Sequence, residues 1–261
     1  VSGLFLTGIV VSMTFGISYL VISSAYMLSR YLGFIVSVFL LYTTFSARSL
    51  FKESMKVYKD LSACADADRR EDHLKAARES LSRIVGRDTD SLDKGGIIRG
   101  AVETVAENTV DGVIAPLIYA FLGGPVLALT YKAINTLDSM VGYKDERYID
   151  LGWASARLDD LANYLPARLS GLLIPIAAFL CGKDWKNSFA TVARDHSNHP
   201  SPNSGIPEAA MAGALRVRLG GLNYYQGLPF LKPLIGRGDY DLSREHIKEA
   251  NKIMIVSSIL M

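Results

Sequence analysis

The sequence VSGLFLTGIVVSMTFGISYLVISSAYMLS, residues 1–29, contains no charged residue. A single arginine, Arg30, follows it, and residues 31–47 (YLGFIVSVFLLYTTFSA) are again uncharged. A helix of about 20 apolar residues crosses the roughly 30 Å hydrocarbon layer of a bilayer. The pattern therefore predicts two antiparallel transmembrane helices within residues 1–47. A buried helical hairpin of a soluble protein is the alternative.

Both ends of the chain are unusual. The sequence begins without methionine, and residues 253–261 are apolar up to the last position. We interpret the chain as a fragment trimmed at both ends, in which residues 253–261 begin a further transmembrane helix. The apolar start is too long for a signal peptide and lacks a basic leading region.

Residues 48–252 are predicted to form the motif-bearing catalytic region, with membrane-associated segments near 112–131 and 169–182. The first segment carries the break Gly123-Gly124-Pro125, which predicts two half-helices returning to the same face. No alternation of strands and helices is evident. The predicted fold class is therefore all-α: a polytopic integral membrane protein with helical polar regions between transmembrane or re-entrant helices.

Local patterns place some helix ends. One helix is predicted with an apolar face formed by Leu74, Ala77, Leu81 and Ile84, and with Gly86 as its C-cap. Asp93 is positioned to cap the next helix.

Lys and Arg are dense in residues 48–111 but single in the Arg30 connection, which predicts a multi-pass protein of the cell membrane with its motif regions in the cytoplasm.

The composition excludes some functions. Lys and Arg number 28 against 26 Asp and Glu, a formal net charge of +2, which argues against a nucleic-acid-binding surface. Cys64 and Cys181 are isolated thiols without zinc-ligand spacing and predict no disulfide framework.

A charged stripe carries the first candidate chemistry. Four residues recur at every fourth position and would stack along one helical face: Arg99, Glu103, Glu107 and Asp111. A solvated helix face is the alternative, but ionisable groups beside an apolar segment are costly unless they are paired or functional. Three carboxylates on one face suit Mg²⁺, which prefers oxygen ligands.

Two further motifs add polar groups. In residues 131–144, Lys132 is a candidate phosphate ligand, and Asn135 and Asp138 share a helical face; a helix cap at Gly142 is the alternative. In residues 156–164, the pair Asp159-Asp160 and Asn163 offer oxygen ligands, and Arg157 and Arg168 flank them as anion ligands. Paired aspartates also occur in enzymes that handle prenyl diphosphates.

Two loops complete the candidate set. The loop HPSPNSGIPE, residues 199–208, contains His199 as either a proton carrier or a packing residue, and Pro207 with Glu208 would begin a helix. The segment LGGLNYYQG, residues 219–227, is a Gly-flanked loop suited to an anion or a planar ligand, with a plain turn as the alternative.

The order of these motifs resembles the adenosylcobinamide-phosphate synthase (CobD/CbiB) family over roughly residues 46 to 237. The matching stretches are IVGRDT (84–89), ETVAENTVDG (103–112), YKA (131–133), NTLDSM (135–140), ARLDD (156–160) with Asn163, SPN (201–203), AMAGAL (210–215) and LGG (219–221). The Gly-Asp-Pro and His-Pro motifs that precede the first apolar run in this family are not found before residue 1, so we expect the full-length protein to supply any function that they carry.

The resemblance implies a membrane enzyme late in cobalamin biosynthesis that uses ATP to join adenosylcobyric acid to aminopropanol phosphate or a related aminoalcohol phosphate. It also leaves room for a complex with other late corrinoid-pathway enzymes. We predict Mg²⁺ as the metal, held by Glu103, Glu107, Asp111 and Asp159. The predicted catalytic residues are Glu107, Asp138, Asp160 and His199. The predicted substrate and phosphate ligands are Arg87, Asn108, Lys132, Asn135, Arg157, Asn163, Arg168 and Asn203.

Two other functions agree with parts of the sequence. One is a membrane transferase acting on prenyl or alcohol diphosphates, suggested by Asp159-Asp160 and the apolar helices. The other is a corrinoid permease or a scaffold. A permease would concentrate polar residues inside its spans. Here the polar motifs lie between the spans, which favours an enzyme.

Overall fold

The computed structural model describes residues 2–63, 70–141 and 149–261. Its helices are α1 (Ser2–Leu28), α2 (Arg30–Thr44), α3 (Ala47–Ala63), α4 (Arg70–Ser82), α5 (Lys94–Thr109), α6 (Ala115–Val141), α7 (Ile149–Ala162), α8 (Tyr164–Leu180), α9 (Trp185–Asp195), α10 (Gly205–Leu215) and α11 (Glu245–Leu260). A π-helical turn, Val110–Ile114, joins α5 to α6, and a hairpin of β1 (Leu219–Tyr225) and β2 (Leu228–Ile235) precedes α11. Cys64 and Gly142 lie outside the described residues.

The predicted fold class is confirmed: the protein is helical and suited to a membrane. Three described stretches are long and apolar enough to cross one: Ser2–Leu28, Arg30–Ser62 and Lys94–Val141. The pair Gly152–Ala162 and Tyr164–Leu180 passes the same test when taken together. Only 11% of the apolar window in α1 is buried, so lipid is the natural environment of the remaining side chains.

The contacts divide the chain into two compact units. Unit 1 comprises residues 1–46 and 111–166, and unit 2 comprises residues 47–110 and 167–261. In unit 1, α1 packs against α2, α6 and α7. Its small buried core contains Ala115, Tyr131, Ile134 and Ala162.

Helix α6 is broken where its sequence predicts a break. Gly123 and Gly124 have non-helical backbone angles, and Gly124 has a φ of +63°, which glycine adopts without a steric penalty. Pro125 follows, with no amide hydrogen to continue the helical hydrogen bonds.

Unit 2 contains the larger core. Helix α10 packs against α5 and α9, while α11 packs against α3 and α5. All 11 residues of α10 are buried, and small side chains dominate its sequence, GIPEAAMAGAL. A Cβ at Gly213 would overlap the backbone of Asn187 and Ser188, so this glycine allows α9 and α10 to pack closely. Glu208 is therefore carried on a helix that is otherwise uncharged and fully enclosed.

Two of the local predictions are confirmed and two are wrong. Asp93 caps α5, accepting a hydrogen bond from the Gly96 amide at 2.7 Å. Ala77 and Leu81 are fully buried on α4, but the helix ends at Ser82, so Gly86 is not its C-cap. The segment 219–227 is β1 and the turn after it, rather than an isolated loop.

Candidate functional site

Unit 1 contains a cluster of polar side chains, which we call the aspartate–amide cluster: Asp111, Tyr131, Lys132, Asn135, Asp159 and Asn163. The amide nitrogen of Asn135 donates to Asp111 Oδ2 and to Asp159 Oδ1, both at 3.3 Å. Two carboxylates that share one amide group converge in space. Such an arrangement places two negative charges where a cation would stabilise both.

The remaining members hold these carboxylates in place. Asn163 donates to Asp159 Oδ2 at 3.0 Å, and its own Oδ1 accepts a hydrogen bond from the Tyr131 hydroxyl at 2.8 Å. Lys132 donates to Asn135 Oδ1 at 3.3 Å. Tyr131 and Asn163 are nearly inaccessible to solvent. The cluster is therefore a connected network in which buried amide and hydroxyl groups orient the acidic ones.

Other predicted residues of unit 1 lie on the same helices. Asp138 is half-buried on α6, Asp160 is half-buried on α7, and Arg157 is exposed on α7. The structure thus brings together Asp111, Lys132, Asn135, Asp159 and Asn163 from three separate sequence motifs.

Unit 2 contains a second arrangement, which we call the charge cluster: Arg87, Arg99, Glu103, Glu107, His199, Glu208 and Lys232. Arg87 Nη2 lies 2.8 Å from Glu103 Oε2, and each side chain is only 5% exposed. Arg87 also donates to the fully buried Asn223. Glu103 Oε1 accepts a hydrogen bond from the Gly220 amide at 2.8 Å and lies 4.0 Å from Arg99 Nε. Glu103 thus already has cationic and amide partners in unit 2.

The β-hairpin is fixed to this cluster by several hydrogen bonds. Arg99 donates to the Leu222 carbonyl at 2.8 Å, and the Asp88 amide donates to the Tyr224 carbonyl at 2.8 Å. Gly220 has a φ of +83°, and a Cβ there would overlap the Pro233 carbonyl. The motif at 84–89 and the segment at 219–223 therefore stabilise each other, for example through the hydrogen bond from Arg87 to Asn223.

The other predicted residues of unit 2 also have defined partners. Glu107 Oε1 accepts from the Ser204 hydroxyl at 3.0 Å, and Asn108 donates to the Thr104 carbonyl at 3.1 Å. Arg168 is exposed and donates to the Oδ1 of buried Asn203 at 2.7 Å.

His199 contacts two residues that the sequence motifs did not single out for the site. Its Nδ1 accepts the Ser201 amide hydrogen at 3.0 Å. Its Nε2 lies 3.4 Å from Glu208 Oε1 and 3.4 Å from Lys232 Nζ. Because Nδ1 is an acceptor, the neutral ring carries its proton on Nε2. The Nε2 proton of His199 therefore lies near Glu208, although the 3.4 Å contact is long for a hydrogen bond.

The surroundings of Glu208 and Lys232, the two residues that the sequence motifs did not identify, change their pKa values for different reasons. Burial raises the pKa of Glu208, an effect that the neighbouring His199 partly offsets. Burial acts to lower the pKa of Lys232, but the carboxylates of Glu208, Glu103 and Glu107 outweigh it and the pKa is raised. A signal for Glu208 was present in the sequence, since it is the single charged residue in a helix of small and apolar ones. Lys232 gives no comparable signal in its strand.

These observations define the class of protein: an all-α polytopic membrane protein with a cluster of acidic and amide side chains in one unit and a buried charge cluster in the other. The sequence model of the CobD/Cbib protein family matches residues 1–254, so the chain belongs to that family.

Relatives carry corresponding names. The chain is 54% identical over 236 residues to the cobalamin biosynthesis protein CobD of Geobacter metallireducens, covering 90% of this chain and 72% of that protein. It is 42% identical over 260 residues to CobD of Leptospira interrogans (100% and 80%). It is 48% identical over 252 residues to the cobalamin biosynthesis protein CbiB of Salmonella paratyphi B (97% and 76%). No solved structure matches the chain. Family membership supports a role in cobalamin biosynthesis.

Proposed function

We propose that the protein is an adenosylcobinamide-phosphate synthase. It joins adenosylcobyric acid to aminopropanol phosphate, or to a related aminoalcohol phosphate, in an ATP-dependent amide formation. The observation that carries the proposal is the family match over residues 1–254, among relatives named cobalamin biosynthesis proteins. The two polar clusters support an enzyme, because each gathers ionisable groups from several segments of the chain.

The chemistry requires activation of a poor acyl donor. A carboxylate oxygen of the corrinoid attacks the γ-phosphorus of ATP, the bond to ADP breaks, and an acyl phosphate forms. The neutral amine then attacks the acyl carbon, inorganic phosphate leaves, and the amine proton passes to a base. Charge on the transferring phosphoryl group must be stabilised at the first stage.

The aspartate–amide cluster suits Mg²⁺ at that stage. Asp111 and Asp159 supply converging carboxylate oxygens, and the Asn135 amide holds both. No group of three or more His, Cys, Asp or Glu in residues 2–63, 70–141 and 149–261 is placed to hold a metal, so two carboxylates would be the protein's share of the ligands. Mg²⁺ commonly binds through one or two carboxylates, waters and substrate phosphates. When bound, it would neutralise charge on the phosphates.

The other predicted roles follow from position. Lys132 and Asn135 belong to the aspartate–amide cluster and would contact phosphate oxygens. Asp138 and Asp160 lie on the helices that carry this cluster and remain candidates for acid–base roles. We also propose that the motif regions face the cytoplasm of a multi-pass protein of the cell membrane.

The proposal is tested with the protein purified in detergent and given adenosylcobyric acid, aminopropanol phosphate, ATP and Mg²⁺. Mass spectrometry would detect adenosylcobinamide phosphate, and each component is omitted in turn as a control. We expect product only when all four are present. Absence of product from folded, corrinoid-binding protein would overturn the proposal in favour of a carrier or scaffold. Absence of corrinoid binding would favour a diphosphate transferase.

A further inference from the structure

Glu208 is the single charged residue of a helix built for packing. It is 1% exposed, and every other residue of α10 is buried with it. Its contact with His199 is long, at 3.4 Å, and within the described part of the chain neither of its carboxylate oxygens has a hydrogen-bond partner. A buried charge in this state is costly unless a partner compensates it. Lys232 and His199 lie near Glu208, but neither donates a hydrogen bond to it, so its two oxygens indicate a further cationic partner.

A small cleft in unit 2 gives that ligand a place. Its volume is about 100 Å³. The lining residues are Ile84, Val85, Gly86, Arg87, Glu103, Thr104, Glu107, Asn108, Glu208, Tyr225 and Lys232. Three of them are carboxylates and two are cations, so the lining carries a surplus of negative charge. Ligand pockets for drug-sized molecules are several times larger, which restricts this cleft to a small group.

The lining also offers a positive side. Lys232 contacts the ring of His199, and Arg87 is held by Glu103 and Asn223. Within the described residues, Arg87 Nε is buried without a hydrogen-bond partner. The cleft thus combines an unpartnered donor with unpartnered acceptors, a combination that complements a zwitterion better than a simple anion or cation.

We infer that this cleft binds the small substrate of the proposed reaction, an ammonium group on a short phosphate ester, with Glu208 as the partner of the ammonium. The inference rests on the proposed function for the identity of the substrate. Arg87 and Lys232 provide the charge that complements its phosphate. His199 is a positioning residue, because the Ser201 amide fixes its tautomer and its Nε2 proton faces Glu208.

An organic ammonium fits better than a metal ion. Arg87 and Lys232 share the cleft and would repel a doubly charged metal ion more strongly than a singly charged ammonium group. An ammonium group has three hydrogen-bond donors. Its N···O distances are longer than the metal–oxygen distances that Mg²⁺ requires. Both oxygens of Glu208 are buried and have no hydrogen-bond partner among the described residues, and the amide nitrogen of Asn108 is used on the Thr104 carbonyl.

The test is direct binding, without ATP or corrinoid, measured by isothermal titration calorimetry on the detergent-purified protein. The probes are O-phosphoethanolamine, ethyl phosphate, which lacks the ammonium, and MgCl₂. Glu208→Gln keeps the side-chain shape and removes the charge. We expect it to weaken O-phosphoethanolamine binding about ten- to hundredfold, as for a lost charge-assisted hydrogen bond. Ethyl phosphate binding should be unchanged.

The matched control is Glu79→Gln, which removes an exposed carboxylate from α4 and should bind both organic probes like the unaltered protein. A thermal melt of each variant reports folding. Equal binding of O-phosphoethanolamine by Glu208→Gln, or equal losses for both organic probes, would overturn the inference. The inference would also be overturned if Glu208→Gln lost Mg²⁺ binding and kept O-phosphoethanolamine binding. If Glu208→Gln forms product with an unchanged KM for the aminoalcohol phosphate, this inference alone is refuted. If O-phosphoethanolamine binding depends on Glu208 but no product forms, the proposed function alone is refuted.

Discussion

The two clusters use acidic residues in different ways. In unit 1, Asp111 and Asp159 share the amide donor of Asn135, and Lys132 belongs to the same network. In unit 2, Glu103 pairs with the buried guanidinium of Arg87, while Glu208 is enclosed without an aligned donor. A carboxylate paired with arginine contributes to folding, whereas converging or isolated carboxylates can receive a ligand. The partner of an acidic group therefore indicates its role better than its place in a motif.

The largest expected effect comes from the buried pair of unit 2. Arg87→Met would leave Glu103 charged and buried beside Arg99, and we expect a loss of about 3–5 kcal/mol in the free energy of unfolding. Glu71→Gln is the control, since Glu71 is 79% exposed and its pair with Arg78 contributes at most about 1 kcal/mol. Denaturant titration in detergent measures both. Equal losses would mean that the Arg87–Glu103 pair is not the fixed part of the charge cluster.

A second expected effect separates the clusters by their metal dependence. Asp159→Asn removes one of the two carboxylates that Asn135 holds, and we expect the Mg²⁺ concentration for half-maximal product formation to rise at least about tenfold. Glu103→Gln should leave that concentration unchanged while lowering stability, because Glu103 has Arg87 as its partner. Asp90→Asn, at an exposed position, is the control. If Glu103→Gln raised this Mg²⁺ concentration and Asp159→Asn did not, the metal site would lie in unit 2.

The sequence predicted the helical parts of this picture well. Uncharged runs determine α1 and α2, the Gly123-Gly124-Pro125 break falls where predicted, and Asp93 caps α5. The sequence motifs also named five of the six residues of the aspartate–amide cluster as candidate ligands, without predicting that they meet. Helix periodicity and caps depend on neighbours within a few residues, so a single sequence displays them.

Long-range contacts were beyond such patterns. Arg87 meets Asn223 and Glu103 meets Gly220 across more than 100 positions, and only the folded chain brings them together. The hairpin was missed because Gly220-Gly221 and the prolines of β2 have low strand propensity. The four-residue stripe assumed one regular α-helix, but Asp111 lies in the π-helical turn, where the hydrogen-bonding period differs.

The smallest expected effect distinguishes two carboxylates within unit 2 by the sign of their pH dependence. Hydrogen bonds from Arg194 lower the pKa of Asp195, assisted by the Gly236 amide, whereas burial raises the pKa of Glu208. The contribution of Asp195 is complete above the ordinary carboxyl pKa of about 4 and is lost as the pH falls through its lower folded value. Between about pH 4 and its raised folded pKa, the unfolded chain binds fewer protons at Glu208, so stability falls as the pH rises.

Thermal midpoints measured from acid to neutral pH check both signs. The advantage of the unaltered protein over Asp195→Asn should shrink as the solution becomes acidic. Glu208→Gln should gain on the unaltered protein as the pH rises from about 4, because the glutamine has no proton to lose. If the profile of Glu208→Gln runs parallel to that of the unaltered protein, Glu208 keeps an ordinary pKa. His199 and Lys232 would then already compensate its charge in the folded protein. Opposite slopes would show that the charge on Glu208 needs a further partner, which distinguishes it from the paired carboxylates around it.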